Sequence, residues 1–284
     1  MIKRILVALD PDADTPVATQ TAIEIAGRCG ATLTGIALID RDAIDDDTAG
    51  GGIGSMYFAE KMRERITAET RVKAQALVEA FGEQVDAAGV AHTDDRVGED
   101  GLVKSLVDEM RTHDLLVAGR ESHFYYNDPE RRTHTMAKVV ETGAAATLLV
   151  GRTAPDVRRV LVAYDGSTAS SRTLQKFAHL SPFGLTVEVE VVHVRDGGAG
   201  ARLASDYLTG AARDYLAAHG YTTVHTTSLE NSKPADAILD HAAATGADLI
   251  VSGAYAKTGL KRWLLGSSAT RLLEKATLPL FLYR

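Results

Sequence analysis

The sequence predicts an α/β protein built from two tandem, doubly wound parallel-sheet domains. Three observations carry that prediction. First, segments repeat in order: Lys3–Asp10 (KRILVALD) returns as Arg158–Asp165 (RRVLVAYD), and His113–Gly119 (HDLLVAG) returns as Ala247–Gly253 (ADLIVSG). Ala144–Val150 likewise returns as Thr277–Tyr283, and a conserved order of matches marks an internal duplication. Second, short apolar runs alternate with stretches of helical period, the pattern of strand–helix–strand units with right-handed crossovers. Third, those runs are continuously apolar instead of alternating, which suits parallel strands buried on both faces.

In the first half the strands are expected at Ile5–Leu9, Thr32–Ile39, Leu115–Ala118 and Ala146–Val150, with helices over 15–29, 56–88, 99–111 and 133–142. In the second half the strands are Val160–Tyr164, Thr186–Val194, Thr222–Thr227, Leu249–Val251 and Leu280–Tyr283, with helices over 168–180, 200–219, 234–245 and 267–276. Asp100 and Ser232 stand where helix caps are expected, and Pro234 suits a first turn. Asp10 and Asp165 lie 155 positions apart but Gly119 and Gly253 only 134, so the first half carries extra residues after its second strand. Asp40–Ser55 and a longer helix account for most of them. Gly151–Val157, with Pro155, reads as the linker between domains 1–151 and 156–284.

The 284 residues suffice for two domains with their own cores, at 45% hydrophobic and 24% charged content. A net charge of −7 argues against nucleic acid or an anionic membrane surface as partner. Cys29 is the single cysteine, so no intrachain disulfide forms, in keeping with a reducing compartment. Neither a signal-peptide pattern nor an apolar run of about 18 residues is present, and the expectation is a cytoplasmic protein.

Ligands of open parallel sheets bind beyond the carboxyl ends of the strands, where strand order reverses. In the second half Asp165, Val194-Arg195-Asp196 and Gly253 should meet there. Gly253 opens a loop running to Ser268 that ends in a helix near Gly266. Glycine permits close backbone approach, a helix start offers free N–H groups, and Ser267, Ser268, Lys257, Lys261 and Arg262 add donors and charge. The alternative is an ordinary surface turn. Among the nine histidines none shows metal spacing, and His193 reads as a satisfied core residue. The acidic run Asp40–Asp47 lacks the glycine and terminal glutamate of a calcium loop. No nucleophile–base pair is evident, because Ser167 and Ser267 lack the strained elbow of hydrolases.

This loop resembles the nucleotide signature of the universal stress protein family: Gly, two residues, Gly, nine residues, Gly, then Ser or Thr. Here it reads Gly253, two residues, Ala256, nine residues, Gly266, Ser267. The resemblance covers the whole chain as two Rossmann-like domains of the adenine-nucleotide alpha-hydrolase type. It implies an intrachain pseudo-dimer, with Val150 and Tyr283 on the strands that pair across its axis and a homodimer as a further assembly. It also implies ATP binding in the second half, with or without Mg2+. Carried over, Ala163, Tyr164 and Asp165 would line the ribose side, Asp165 also holding metal. The main chain of Val194 would read the adenine, and Gly253, Ala256, Gly266, Ser267 and Ser268 would surround the phosphates. Ala256 departs from the family glycine. At most slow ATP hydrolysis is implied, in a stress sensor that signals to unidentified protein partners. A tandem scaffold working without nucleotide is the alternative, and an adenylating ligase lacks a visible base. In the first half the aligned positions are Gly119, Ser122, Arg132 and Thr133, so arginine stands at the expected helix entry and the site there is degenerate.

Overall fold

The computed structural model describes residues 1–11, 14–39, 44, 55–93, 95–98, 101–120, 129–198, 200–254 and 267–284. The first half contains β1 (Arg4–Leu9), α1 (Thr15–Cys29), β2 (Thr32–Leu38), α2 (Ser55–Ala87), β3 (Arg96–Gly98), α3 (Leu102–Met110), β4 (Leu115–Gly119), α4 (Pro129–Thr142) and β5 (Ala146–Val150). The second half repeats the series as β6 (Arg159–Ala163), α5 (Thr168–Leu180), β7 (Glu188–Arg195), α6 (Ala201–Ala218), β8 (Val224–Glu230), α7 (Pro234–Thr245), β9 (Leu249–Gly253), α8 (Ser267–Lys275) and β10 (Leu280–Tyr283). All ten strands form one sheet in the order β3-β2-β1-β4-β5-β10-β9-β6-β7-β8. Read from either end the halves follow the same order, so a pseudo-two-fold axis passes between β5 and β10. That pair is antiparallel, with Leu280, Phe281 and Leu282 opposite Leu149, Leu148 and Thr147. The other pairs are parallel.

The apolar runs explain this arrangement. Every residue of β4 and β5 is buried, because helices cover the sheet on both faces. One core layer joins Val7, Leu148, Val162 and Phe281 to Ala22 and Ile25 of α1, Phe81 of α2, Phe177 of α5 and Leu216 of α6. The opposite layer joins Leu6, Leu149, Leu161 and Leu280 to Leu106 of α3, Val139 of α4, Ile238 of α7 and Leu272 of α8. Each layer runs through both halves without a break.

Side chains add ties across the axis. Arg120, just past β4, donates to the carbonyls of Ala276, Thr277 and Leu278 behind α8. Arg28 donates to the Pro182 carbonyl at 2.6 Å, and Arg284 to the Glu141 carbonyl. Residues 151–158, which connect the halves, contain no helix or strand. No helix among the described residues is long and apolar enough to cross a membrane.

The structure corrects several sequence-based expectations. β3 was not anticipated: it is three residues long, with Val97 as its one apolar member, too short for a periodic signal. β8 is displaced towards its C-terminus relative to the expected 222–227, because as an edge strand much of it is exposed. Ser232 does not cap α7. Lys233 holds the cap position without a side-chain bond, and Asn231 Oδ1 instead accepts from the Lys233 amide at 2.8 Å. Gly101 holds the cap position of α3, and Asp100 lies outside the described residues.

One tie in the first half titrates. His92 bridges Asp95 and Asp86 through its two ring nitrogens, and Asp95 also accepts the Gly35 amide at 2.7 Å. The Asp95 hydrogen bond raises the imidazole pKa, against partial burial that lowers it. A raised folded-state pKa contributes stability that is complete below the unfolded value of about 6.5 and vanishes as pH rises through the folded value. Urea midpoints of wild type and His92→Gln should therefore differ more at pH 5.5 than at pH 8.5. A constant difference would contradict a protonated bridge.

Candidate functional site

Strand order reverses at β6 in the second half. β7 lies on one side of β6 and β9 on the other, while α5 and α8 cover opposite faces. The helices part beyond the carboxyl ends of β6 and β9 and leave a cavity of about 370 Å3. Sequence elements from six places reach it: Ala163-Tyr164-Asp165 at the end of β6, Ser167, Ala169 and Ser170 at the start of α5, Val192 and Val194 of β7, Pro234 and Ile238 of α7, Ser252-Gly253 of β9, and Ser268-Ala269 of α8.

Its polar lip is a hydrogen-bonded turn. Gly166 takes φ of +74°, and a side chain there would meet Leu208 of α6. That reversal lets the Ser167 amide donate to Asp165 Oδ1 at 2.9 Å, while Ser167 Oγ caps α5 by accepting the Ser170 amide at 3.2 Å. Partial burial pushes the Asp165 carboxyl up. Hydrogen bonds from Ser167 and Ser170 outweigh it and hold the pKa below the usual carboxylate value. Asp165 thus presents a fixed anion, able to accept from hydroxyls or to ligate a cation. Among the described residues no group of three His, Cys, Asp or Glu gathers as a metal cluster.

The wall beside it exposes main chain. β6 and β7 pair as far as Ala163 opposite Val192, and the Tyr164 amide closes the ladder on the Val192 carbonyl at 2.9 Å. β7 continues to Arg195. Strand groups point to alternate sides with a period of two, so the amide and carbonyl of Val194 face the same side as those of Val192, beyond the end of β6. The Arg195 carbonyl faces the other way and accepts the Asn231 amide. Val194 therefore offers one donor and one acceptor to the cavity, next to the apolar surfaces of Val192, Ile238 and Ala163.

Gly253 has a structural role that its place in the loop signature does not show. A Cβ there would lie 2.8 Å from the Ser170 nitrogen and 2.9 Å from the Ala169 carbonyl carbon, so glycine lets α5 seat directly on β9. His193 is hydrogen-bonded through Nδ1 to the buried Ser205 hydroxyl at 2.8 Å, and burial lowers its pKa.

Of the sequence-predicted residues, Ala163, Tyr164, Asp165, Val194, Gly253 and Ser268 converge on this cavity. Ala256 and Gly266 lie outside the described residues, as do Lys257, Lys261 and Arg262. Ser267 is the first residue of α8. Sequence reasoning missed Pro234 and Ile238. The signal was available, since α7 follows β8 onto the same face as α8 and must flank the same opening. Ser170, Val192 and Ser252 were also missed, each hidden in an otherwise regular element.

The first half differs at matched positions. Asp10 is fully buried and its amide donates to Thr15 Oγ1 at 3.0 Å, whereas Asp165 is exposed. α4 begins at Pro129, earlier than the expected 133, so Arg132 lies within the helix and not at its entry. α8, by contrast, begins at Ser267, one residue after the aligned Gly266. Ser122 lies outside the described residues.

Residues 156–284 match the model of the universal stress protein family. A universal stress protein of Bacillus subtilis, YxiE, is 28% identical over 44% of this chain and 98% of its own length. Among solved structures, a universal stress protein from Archaeoglobus fulgidus superposes with a TM-score of 0.67 at 16% identity, over 99% of this chain and 98% of that one. A protein of unknown function from Pseudomonas aeruginosa gives 0.62 at 17% identity, over 99% and 92%. At those identities the shared feature is the fold, along both halves.

Proposed function

From the premise that residues 156–284 belong to the universal stress protein family, and that the first half repeats their fold, we propose that the second-half cavity binds ATP. We further propose that the chain senses or signals stress through its occupancy. The observation that carries this reading is the main-chain pair of Val194, unpaired by β6 among the described residues, in an apolar slot that the fixed carboxylate of Asp165 also lines. A purine needs one donor and one acceptor on its edge and flat apolar surfaces on its faces. Val194 supplies the first, and Val192, Ile238 and Ala163 the second. Asp165 accepts from ribose hydroxyls, or ligates Mg2+ together with phosphate oxygens and water. The phosphates run towards Ser268 and the start of α8, where the first-turn amides and the helix dipole favour negative charge. A volume near 370 Å3 lies within the range of small-molecule sites.

The cavity supplies positioning without a nucleophile–base pair, so the role proposed is binding, with hydrolysis slow at most. Protein partners would read the bound and free states, and a cytoplasmic location accords with the single cysteine, Cys29.

Calorimetric titration with ATP and Mg2+ tests this. Gly266→Arg, which gives the second half the residue that the first carries at Arg132, should weaken binding by at least about tenfold, or 1.4 kcal/mol. Equal affinities in the two proteins exclude the site. A scaffold that works through protein contacts alone would show no heat and no rise in thermal midpoint with either protein.

A further inference from the structure

A second cavity, of about 450 Å3, lies at the seam between the halves, away from the nucleotide crevice. α5 contributes Arg172, Gln175, Lys176 and His179, spaced as one helical stripe, and the end of β10 contributes Tyr283 and Arg284. In a chain of net charge −7, three permanent cations line one opening. Lys176 Nζ stands 5.5 Å from the Tyr283 ring centroid, and an Arg284 guanidinium nitrogen donates to the Glu141 carbonyl, so two of the three are positioned by neutral groups. Among the described residues none of the three pairs with a carboxylate.

The duplication supplies a control. Asp10–Ile39 and Asp165–Val194 align without a gap, and core positions match: Ala18 with Thr173, Ala22 with Phe177, Ile25 with Leu180. On that alignment the stripe on α1 reads Val17, Gln20, Thr21 and Glu24, and Gln20 donates to Glu24 at 2.9 Å. Gly151 stands opposite Arg284 in the terminal-strand repeat. The fold therefore does not require cations at these positions, and one copy alone has them.

We propose that the seam cavity is a phosphate-binding site, suited to a compact polyanion such as a diphosphate. Two guanidinium groups offer planar forks to phosphate oxygens, and the lysine adds a point charge beside them. Binding there engages α5 and β10 with the region before β5, and so joins groups from both halves around one anion.

The test is calorimetric titration of the full chain with inorganic pyrophosphate. Wild type should bind, and Arg172→Gln/Lys176→Gln should weaken binding by at least about tenfold while changing ATP affinity by less than about twofold. Exchanging the two cations, Arg172→Lys/Lys176→Arg, should retain most of the affinity and shows that charge, not fold, was removed. A second ATP equivalent that the double Gln variant loses would identify a nucleotide's phosphate tail as the source of the anion; pyrophosphate heat without it identifies free phosphates. The proposal is overturned if wild type shows no heat at millimolar pyrophosphate. It is equally overturned if the Gln variant binds as wild type does, or if Gly266→Arg alone removes the pyrophosphate heat.

Discussion

Gly253→Val should lower stability by about 3 kcal/mol, the upper end of the cost of overpacking, and should abolish ATP binding with it. The new side chain would begin 2.8 Å from the Ser170 nitrogen, where neither backbone has a flexible end to move aside. α5 would have to lift from β9, carrying away Ser167 and Ser170, which hold Asp165 in place. Gly253→Ala meets the same contact with less bulk, and about 1 kcal/mol is expected. Urea denaturation of both variants, with ATP calorimetry on whichever remains folded, gives the comparison. A valine variant as stable as wild type would mean that helix and strand are not seated this closely.

Phe281→Ala is expected to cost about 4 kcal/mol. The ring is fully buried, packs edge-on against Phe177 at 5.4 Å, and lies on the strand that joins the halves opposite Leu148. Because each core layer crosses the seam, loosening it there should shift the whole protein at once. Calorimetry should show one unfolding transition, moved to lower temperature. Two resolved transitions, with only the second displaced, would show that the layers are not mechanically continuous.

Most of the fold is legible in the sequence because its strands are buried on both faces. Runs such as Leu115–Ala118 and Ala146–Val150 tolerate little but apolar residues, and the duplication reads each of them twice. What escaped was governed by pairing and not by burial. β3 exists because β2 has an open edge, with Ile36 opposite Arg96, and three residues with one apolar side chain carry no signal of that. Ser232 looked like a cap, but the turn before α7 is made by Asn231. For the site, Asp165 and Gly253 stand out in the sequence because one follows and the other ends an apolar strand. The free edge of Val194 could not be derived from residue type, since it depends on where β6 stops relative to β7. The glycine at 253 lines the cavity, and the close neighbour that requires it there is α5, which the loop signature does not reveal.

The tether at 151–158 has a consequence for how the two copies can diverge. A fused mate is always present at high effective concentration, so the union of β5 with β10 does not depend on how much protein is made. Under that condition one copy can give up small-molecule recognition and persist as architecture. Arg120, at the position where the other copy opens its crevice, instead holds the turn between α8 and β10 of its neighbour.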